Sequence, residues 1–114
     1  MNIEELREYC LSKKGVTESF PFDDVTLVFK VMEKMFALTN TDGDFTINLK
    51  CDPEKAIDLR EHYPGVIPGY HMDKKHWNTV IIDGIVPDDL LKDWIDDSYN
   101  LVVSKLPANK RPEK

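Results

Sequence analysis

Cysteine is scarce in this chain. Only Cys10 and Cys51 are present, and they form no C-x-x-C pair. No long hydrophobic run exists either. Nothing approaches the 18 apolar residues of a membrane-spanning helix. The start, Met1-Asn2-Ile3-Glu4-Glu5, is acidic and lacks the basic and apolar regions of an export signal. The chain is therefore expected in the cytoplasm, with both thiols reduced and no membrane partner. Positive charge is in deficit: 15 basic residues stand against 21 acidic ones, a formal charge of −6. That excludes a polycationic nucleic-acid coat. Also missing are a P-loop, G-x-G-x-x-G, G-x-S-x-G and H-E-x-x-H. No enzyme activity and no cofactor are expected.

What is present suits one small soluble domain. The chain has 114 residues, with 41% hydrophobic and 32% charged residues, outside the range of disordered chains. A chain of this length buries roughly 65% of its unfolded surface, enough for one core. Residues 1–106 read as that domain and 107–114 as a tail that frays after Pro107.

Residues 2–14 predict a helix. Asn2 caps it, Glu5 completes a capping box, and Gly15 supplies the left-handed position after its end. Cys10 falls on its apolar side. Three strands follow: Val25 to Val31, Met35 to Thr39, and a third in which Phe45, Ile47 and Leu49 alternate with polar residues. Tight turns at Met32-Glu33-Lys34 and Asp42-Gly43 join them. Pro53 opens a second helix that runs to Tyr63. Val66 to Tyr70 reads as an edge strand because Pro68 interrupts it, and Trp77 to Asp83 as the last strand. The final helix starts at Pro87. Leu90, Leu91, Trp94, Ile95, Ser98 and Val102 share one side of it. Short turns make neighbouring strands antiparallel, and terminal helices cannot serve as crossovers. The fold class is α+β: two layers, a five-stranded antiparallel sheet, and the order α-β(3)-α-β(2)-α.

The segment between the last two strands is the most informative. Tyr70, His71, Lys74, Lys75, His76 and Trp77 lie within eight residues. Lys74 and Lys75 are candidate phosphate contacts, or else a solvated turn that keeps a sheet edge soluble. His71 and His76 have no third His or Cys close by for a metal site, so hydrogen bonding or pH-dependent charge suits them better. Trp77 is a core anchor or a base-stacking platform, and Tyr70 shares that ambiguity. Phe20-Pro21-Phe22 is expected to fold over the sheet and plug the core edge. The acidic run Asp89, Asp93, Asp96 and Asp97 reads as a solvated helix face.

This segment resembles the signature of the bacterial MmcQ/YjbR-like family. Further matches are Phe20-Pro21-Phe22, Val28-Phe29-Lys30-Val31, Lys34-Met35-Phe36-Ala37-Leu38, Leu49-Lys50-Cys51 with Pro53, and Ser98-Tyr99 with Leu101-Val102. Together they span residues 3 to 111. The resemblance implies a fold like that of type III secretion chaperones. It also implies DNA binding of the "double wing" type, with the basic loop 71–77 on phosphates. This chain departs from the family pattern at Met32-Glu33, where relatives carry glycine, the residue that eases positive φ. Two other expectations stand beside DNA binding. One is a protein-interaction domain that holds a peptide or a second copy along a sheet edge. The other is a small-molecule pocket near Tyr70, His71 and Trp77.

Overall fold

The structure is a computed structural model that describes residues 1–69 and 73–112. Helix α1 spans Ile3–Leu11 and is held at its start by the capping box: Asn2 Oδ1 accepts from the Glu5 N–H at 2.8 Å, and Glu5 Oε1 accepts from the Asn2 N–H at 3.2 Å. It ends earlier than the sequence suggests, at the Ser12 cap, before Gly15 at φ +76°. Lys13 therefore lies outside the helix. Its ammonium pairs with Asp96 and sits over the rings of Tyr9 and Tyr99, which ties α1 to the last helix.

Among the described residues the sheet has six strands, not five. They are β1 (Val16–Ser19), β2 (Thr26–Val31), β3 (Lys34–Asn40), β4 (Thr46–Lys50), β5 (Val66–Pro68) and β6 (Trp77–Ile81). Their spatial order is β1-β2-β3-β4-β6-β5, with every pair antiparallel. The strand absent from the sequence reading is β1. It is a four-residue edge strand in which Val16, Thr17, Glu18 and Ser19 show no apolar face, so backbone pairing to β2 defines it. Helix α2 spans Pro53–His62 and α3 spans Asp88–Ser104.

Register sorts the side chains into two faces. Leu27, Thr39, Ile47, Val80 and Val66 align across five strands, and the core beneath them includes Leu6, Cys10, Leu91, Trp94 and Ile95 from the helices. All three helices pack on this face, which makes the two layers. The opposite face carries its own small cluster, Val28, Leu38 and Trp77 with Met35. A bulge in β3 explains why Phe36 and Ala37 are both in the core: Phe29 pairs with Ala37 and Lys30 with Met35, so Phe36 is the extra residue. Residues 108–110 form a short 3-10 turn, and the Arg111 guanidinium donates to the carbonyls of Leu106 and Ser104.

The turn between β2 and β3 stores strain. Met32 has φ +49° and Glu33 φ +71°, as a two-residue hairpin loop of the mirror-image type requires, yet neither is glycine or asparagine. A left-handed conformation costs an ordinary side chain about 1–2 kcal/mol. Replacing Met32-Glu33 with Asn-Gly should raise stability by roughly 1 kcal/mol, after allowing for the greater freedom glycine gives the unfolded chain. A urea melt with an unchanged slope and a higher midpoint is the expected result; a lower midpoint would show that the turn carries no strain.

Candidate anion-binding end

Antiparallel topology decides which loops meet. The end of β2, the start of β3, the end of β4 and the start of β6 lie at one end of the sheet. The C-terminus of α3 arrives at the same end: Lys105 and Leu106 line a groove with Lys34, Met35, Lys50 and Trp77. Lys110 borders an adjoining recess with Lys34 and Lys105. The residue before β6 belongs to the turn that holds Lys74 and Lys75, so six lysines converge there. Carboxylates at this end, among the described residues, include Glu33, Asp73, Asp97 paired with Lys55, and, at the start of α2, Asp52 and Glu54.

The opposite end collects the other sign. Its connections are 20–25, 41–45, 63–65 and 82–87, and α3 begins there. These contribute Asp23, Asp24, Asp42, Asp44, Asp83, Asp88 and Asp89, with no Lys or Arg among them. Asp88 accepts from the Met1 ammonium at 3.1 Å. Asp23 accepts from the N–H groups of Val25 and Thr26, which hold its carboxyl below the usual range. The net charge of −6 thus hides a molecule with an acidic pole and a lysine pole.

The turn preceding β6 is internally braced. Asp73 Oδ1 accepts from the Lys75 N–H at 2.9 Å, and the His76 Nδ1–H donates to Asp73 Oδ2 at 2.6 Å. The His76 bond and the Lys75 N–H, in that order, hold the Asp73 carboxyl below its ordinary value. The Asp73 carbonyl accepts from the Trp77 N–H at 2.9 Å, the His76 carbonyl accepts from the Cys51 N–H at 2.7 Å, and Arg60 Nη2 donates to the Lys74 carbonyl at 3.3 Å. These bonds fix the backbone and leave the lysine side chains outward. Lys74 and Lys75 are exposed, and among the described residues neither ammonium is ion-paired.

Of the residues singled out in the sequence, Lys74, Lys75, His76 and Trp77 come together here. Tyr70 and His71 lie outside the described residues. Trp77 is not a stacking platform: it is only 8% exposed and packs with Val28, Leu38 and Met35 on the helix-free face. Phe20 and Phe22 do not plug the core edge; they are 47% and 64% exposed beside the edge strand β1. Burial pushes the Cys10 thiol up to about 12 and also raises Cys51, so neither is a thiolate at neutral pH. Among the described residues no group of His, Cys, Asp and Glu is arranged to hold a metal ion, and no helix is long and apolar enough to cross a membrane.

Sequence reasoning missed Lys34, Lys50, Lys105 and Lys110. The available signal was positional. Lys34 directly follows one turn, and Lys50 closes the strand that runs back beside it. Burial and the nearby ammoniums of Lys105 and Lys34 lower the pKa of Lys50, with Asp73 opposing the two lysines.

Comparison with known proteins places this geometry. The YjbR family model matches residues 11–101. The uncharacterized protein YjbR of Escherichia coli K12 is 37% identical over 112 residues, covering 97% of this chain and 95% of that protein. The uncharacterized protein YbdF of Escherichia coli O157:H7 is 40% identical, with 97% and 90% covered. A Deinococcus radiodurans crystal structure with domain DUF419 superposes with a TM-score of 0.90 at 42% identity, covering 96% of this chain and 84% of that one. A Pseudomonas syringae crystal structure gives 0.76 at 29% identity, with 89% and 98% covered.

Proposed function

This chain belongs to the YjbR family, and from that premise we propose that it is a non-enzymatic module that grips the phosphate backbone of DNA with its lysine pole. The observation that carries this reading is the separation of charge along the sheet. A polyanion approaching the acidic pole is repelled, and one approaching Lys74, Lys75 and the adjoining lysines is attracted, so the field orients the encounter before contact. The braced turn supports the reading further, because its backbone is already ordered before binding. Burial of Trp77 leaves phosphate contact, rather than base stacking, as the source of affinity, and phosphate contacts carry no sequence information.

Two to four phosphates engaged give a log–log salt slope of about −2 to −4 on duplex DNA. Binding should also strengthen as pH falls toward 6, because the His62 imidazole, its pKa raised by its bond to the Asp58 backbone and by the Asp58 carboxylate, gains charge there and makes the chain less anionic. Titration of labelled duplex and single-stranded DNA at low salt, at two pH values, tests this. The double variant Lys74→Glu, Lys75→Glu should weaken binding at least about tenfold and flatten the salt slope by about 2. Equal affinity in the variant and the parent would remove the turn from the interface, and no binding by the parent at low salt would remove the reading altogether.

A further inference from the structure

The groove at the lysine pole has a chemistry that phosphate-backbone binding does not require. It occupies about 420 Å³ and is lined by Lys34, Met35, Lys50, Trp77, Val102, Lys105 and Leu106. Three of these are cations, four are apolar, and none is acidic. A site for an extended polyanion needs charge alone, whereas this one puts apolar wall beside the charge. Its size falls within the range of small-molecule sites, which are mostly apolar with a few converging polar groups.

Two features argue that the arrangement is built to receive a group from outside. First, among the described residues none of the three ammoniums is ion-paired, although the chain carries 21 acidic residues. Second, the three lysines come from separate elements, the start of β3, the end of β4 and the C-terminus of α3, and line one groove. Lys50 is partly desolvated, and Lys105 and Lys34 work against its charged form while Asp73 favours it. An anion seated between them reverses the sign of that interaction. The half-buried Met35 and the largely buried Trp77, Val102 and Leu106 form the apolar wall of the same groove.

We infer that this groove binds a small phosphate monoester with an apolar body, the dianionic head among Lys34, Lys50 and Lys105 and the body against Met35, Trp77, Val102 and Leu106. The inference does not depend on DNA binding.

The test is calorimetric titration of the full chain with 1-naphthyl phosphate, beside 1-naphthol, 1-naphthoate and inorganic phosphate. The ester should bind at least about tenfold more tightly than each of the other three, because each lacks the body or part of the head charge. In 1H–15N spectra, the indole N–H of Trp77 should move on titration while that of the core residue Trp94 stays, with Trp77→Phe assigning the two signals. Lys50→Gln and Lys105→Gln should each weaken the ester about tenfold. If Lys50→Gln proves unfolded by circular dichroism, Lys105→Gln decides, since its side chain lies beyond the last helix. Failure of the ester to bind, equal binding by naphthol or inorganic phosphate, or unchanged affinity in a folded Lys105→Gln would overturn the proposal. DNA binding without ester binding would sink this inference alone, and the converse would sink only the backbone reading.

Discussion

Ser98→Ala should destabilise this protein by about 2–4 kcal/mol, a large effect for the loss of one oxygen atom. Ser98 is fully buried on α3. Its hydroxyl donates to the Phe36 carbonyl at 2.6 Å and accepts from the Lys50 N–H at 2.9 Å. The ladder between β3 and β4 explains why both groups need it. The last direct pair there is Ala37 with Leu49, so the next rung would join Phe36 and Lys50. The bulge at Phe36 displaces that rung, and the serine hydroxyl from the helix layer completes it. Alanine leaves a buried carbonyl and a buried N–H without a partner, and each orphaned group costs about 1–3 kcal/mol. The expected signature is a lower urea midpoint with an unchanged slope, together with faster hydrogen exchange at the Lys50 amide. Normal protection at that amide, with loss of stability elsewhere, would mean that Ser98 matters only for packing.

Phe36→Ala should cost still more, about 3–5 kcal/mol, out of a total stability on the order of 5–15 kcal/mol. Phe36 has no solvent exposure. Its ring meets that of Tyr99 edge to face, at 5.4 Å between centroids and 83° between planes. Tyr99 in turn donates its hydroxyl to the Lys14 carbonyl at 2.6 Å, so the cavity would loosen the joint between α3 and the segment after α1. Because Phe36 is the bulged residue, it is inserted beside Ala37 rather than opposite a partner on β2. Phe36→Leu, which keeps most of that volume, should cost less than half as much. Equal losses for the two variants in chemical denaturation would point to the aromatic contact, not the volume, as the source of the effect.

These two residues and the lysine pole have a common origin. The bulge puts Phe36 inward and turns Met35 onto the helix-free face, beside Lys34 at the groove. The Ser98 bridge then fixes the Lys50 backbone against α3. Packing in the core therefore positions the charged groove. A destabilised Ser98→Ala protein should still fold at low temperature and can serve to ask how far the groove depends on that bridge.

Local interactions were legible from the residues alone. The capping box at Asn2 and Glu5, Pro53 at the start of α2, Asp42-Gly43 at a hairpin, and the one-sided apolar stripe of α3 all follow from contacts within four residues of chain. So did the antiparallel pairing and the order of the longer elements. The edge strand β1 was not legible, since its four residues carry no apolar periodicity and its existence rests on hydrogen bonds to a strand ten residues away. Lys13 and Lys14 suit a helix terminus, so local sequence alone extends α1 three residues past its end at Leu11. The structure instead sends Lys13 to Asp96, more than eighty residues away.

The candidate site divides in the same manner. Lys74, Lys75 and His76 were found because they crowd one segment, and the same crowding made Trp77 look like their partner in binding when it packs with Val28, Leu38 and Met35. Lys34, Lys50 and Lys105 are each isolated in the sequence and unremarkable there. By itself, the sequence determined the family, the element types and an overall negative charge, because those properties are sums or short-range patterns along the chain. Only the tertiary structure decided that the charges separate into two poles and that three distant lysines share one apolar-walled groove. Strand direction sets which loops become neighbours, and direction is a property of the assembled sheet rather than of any strand within it.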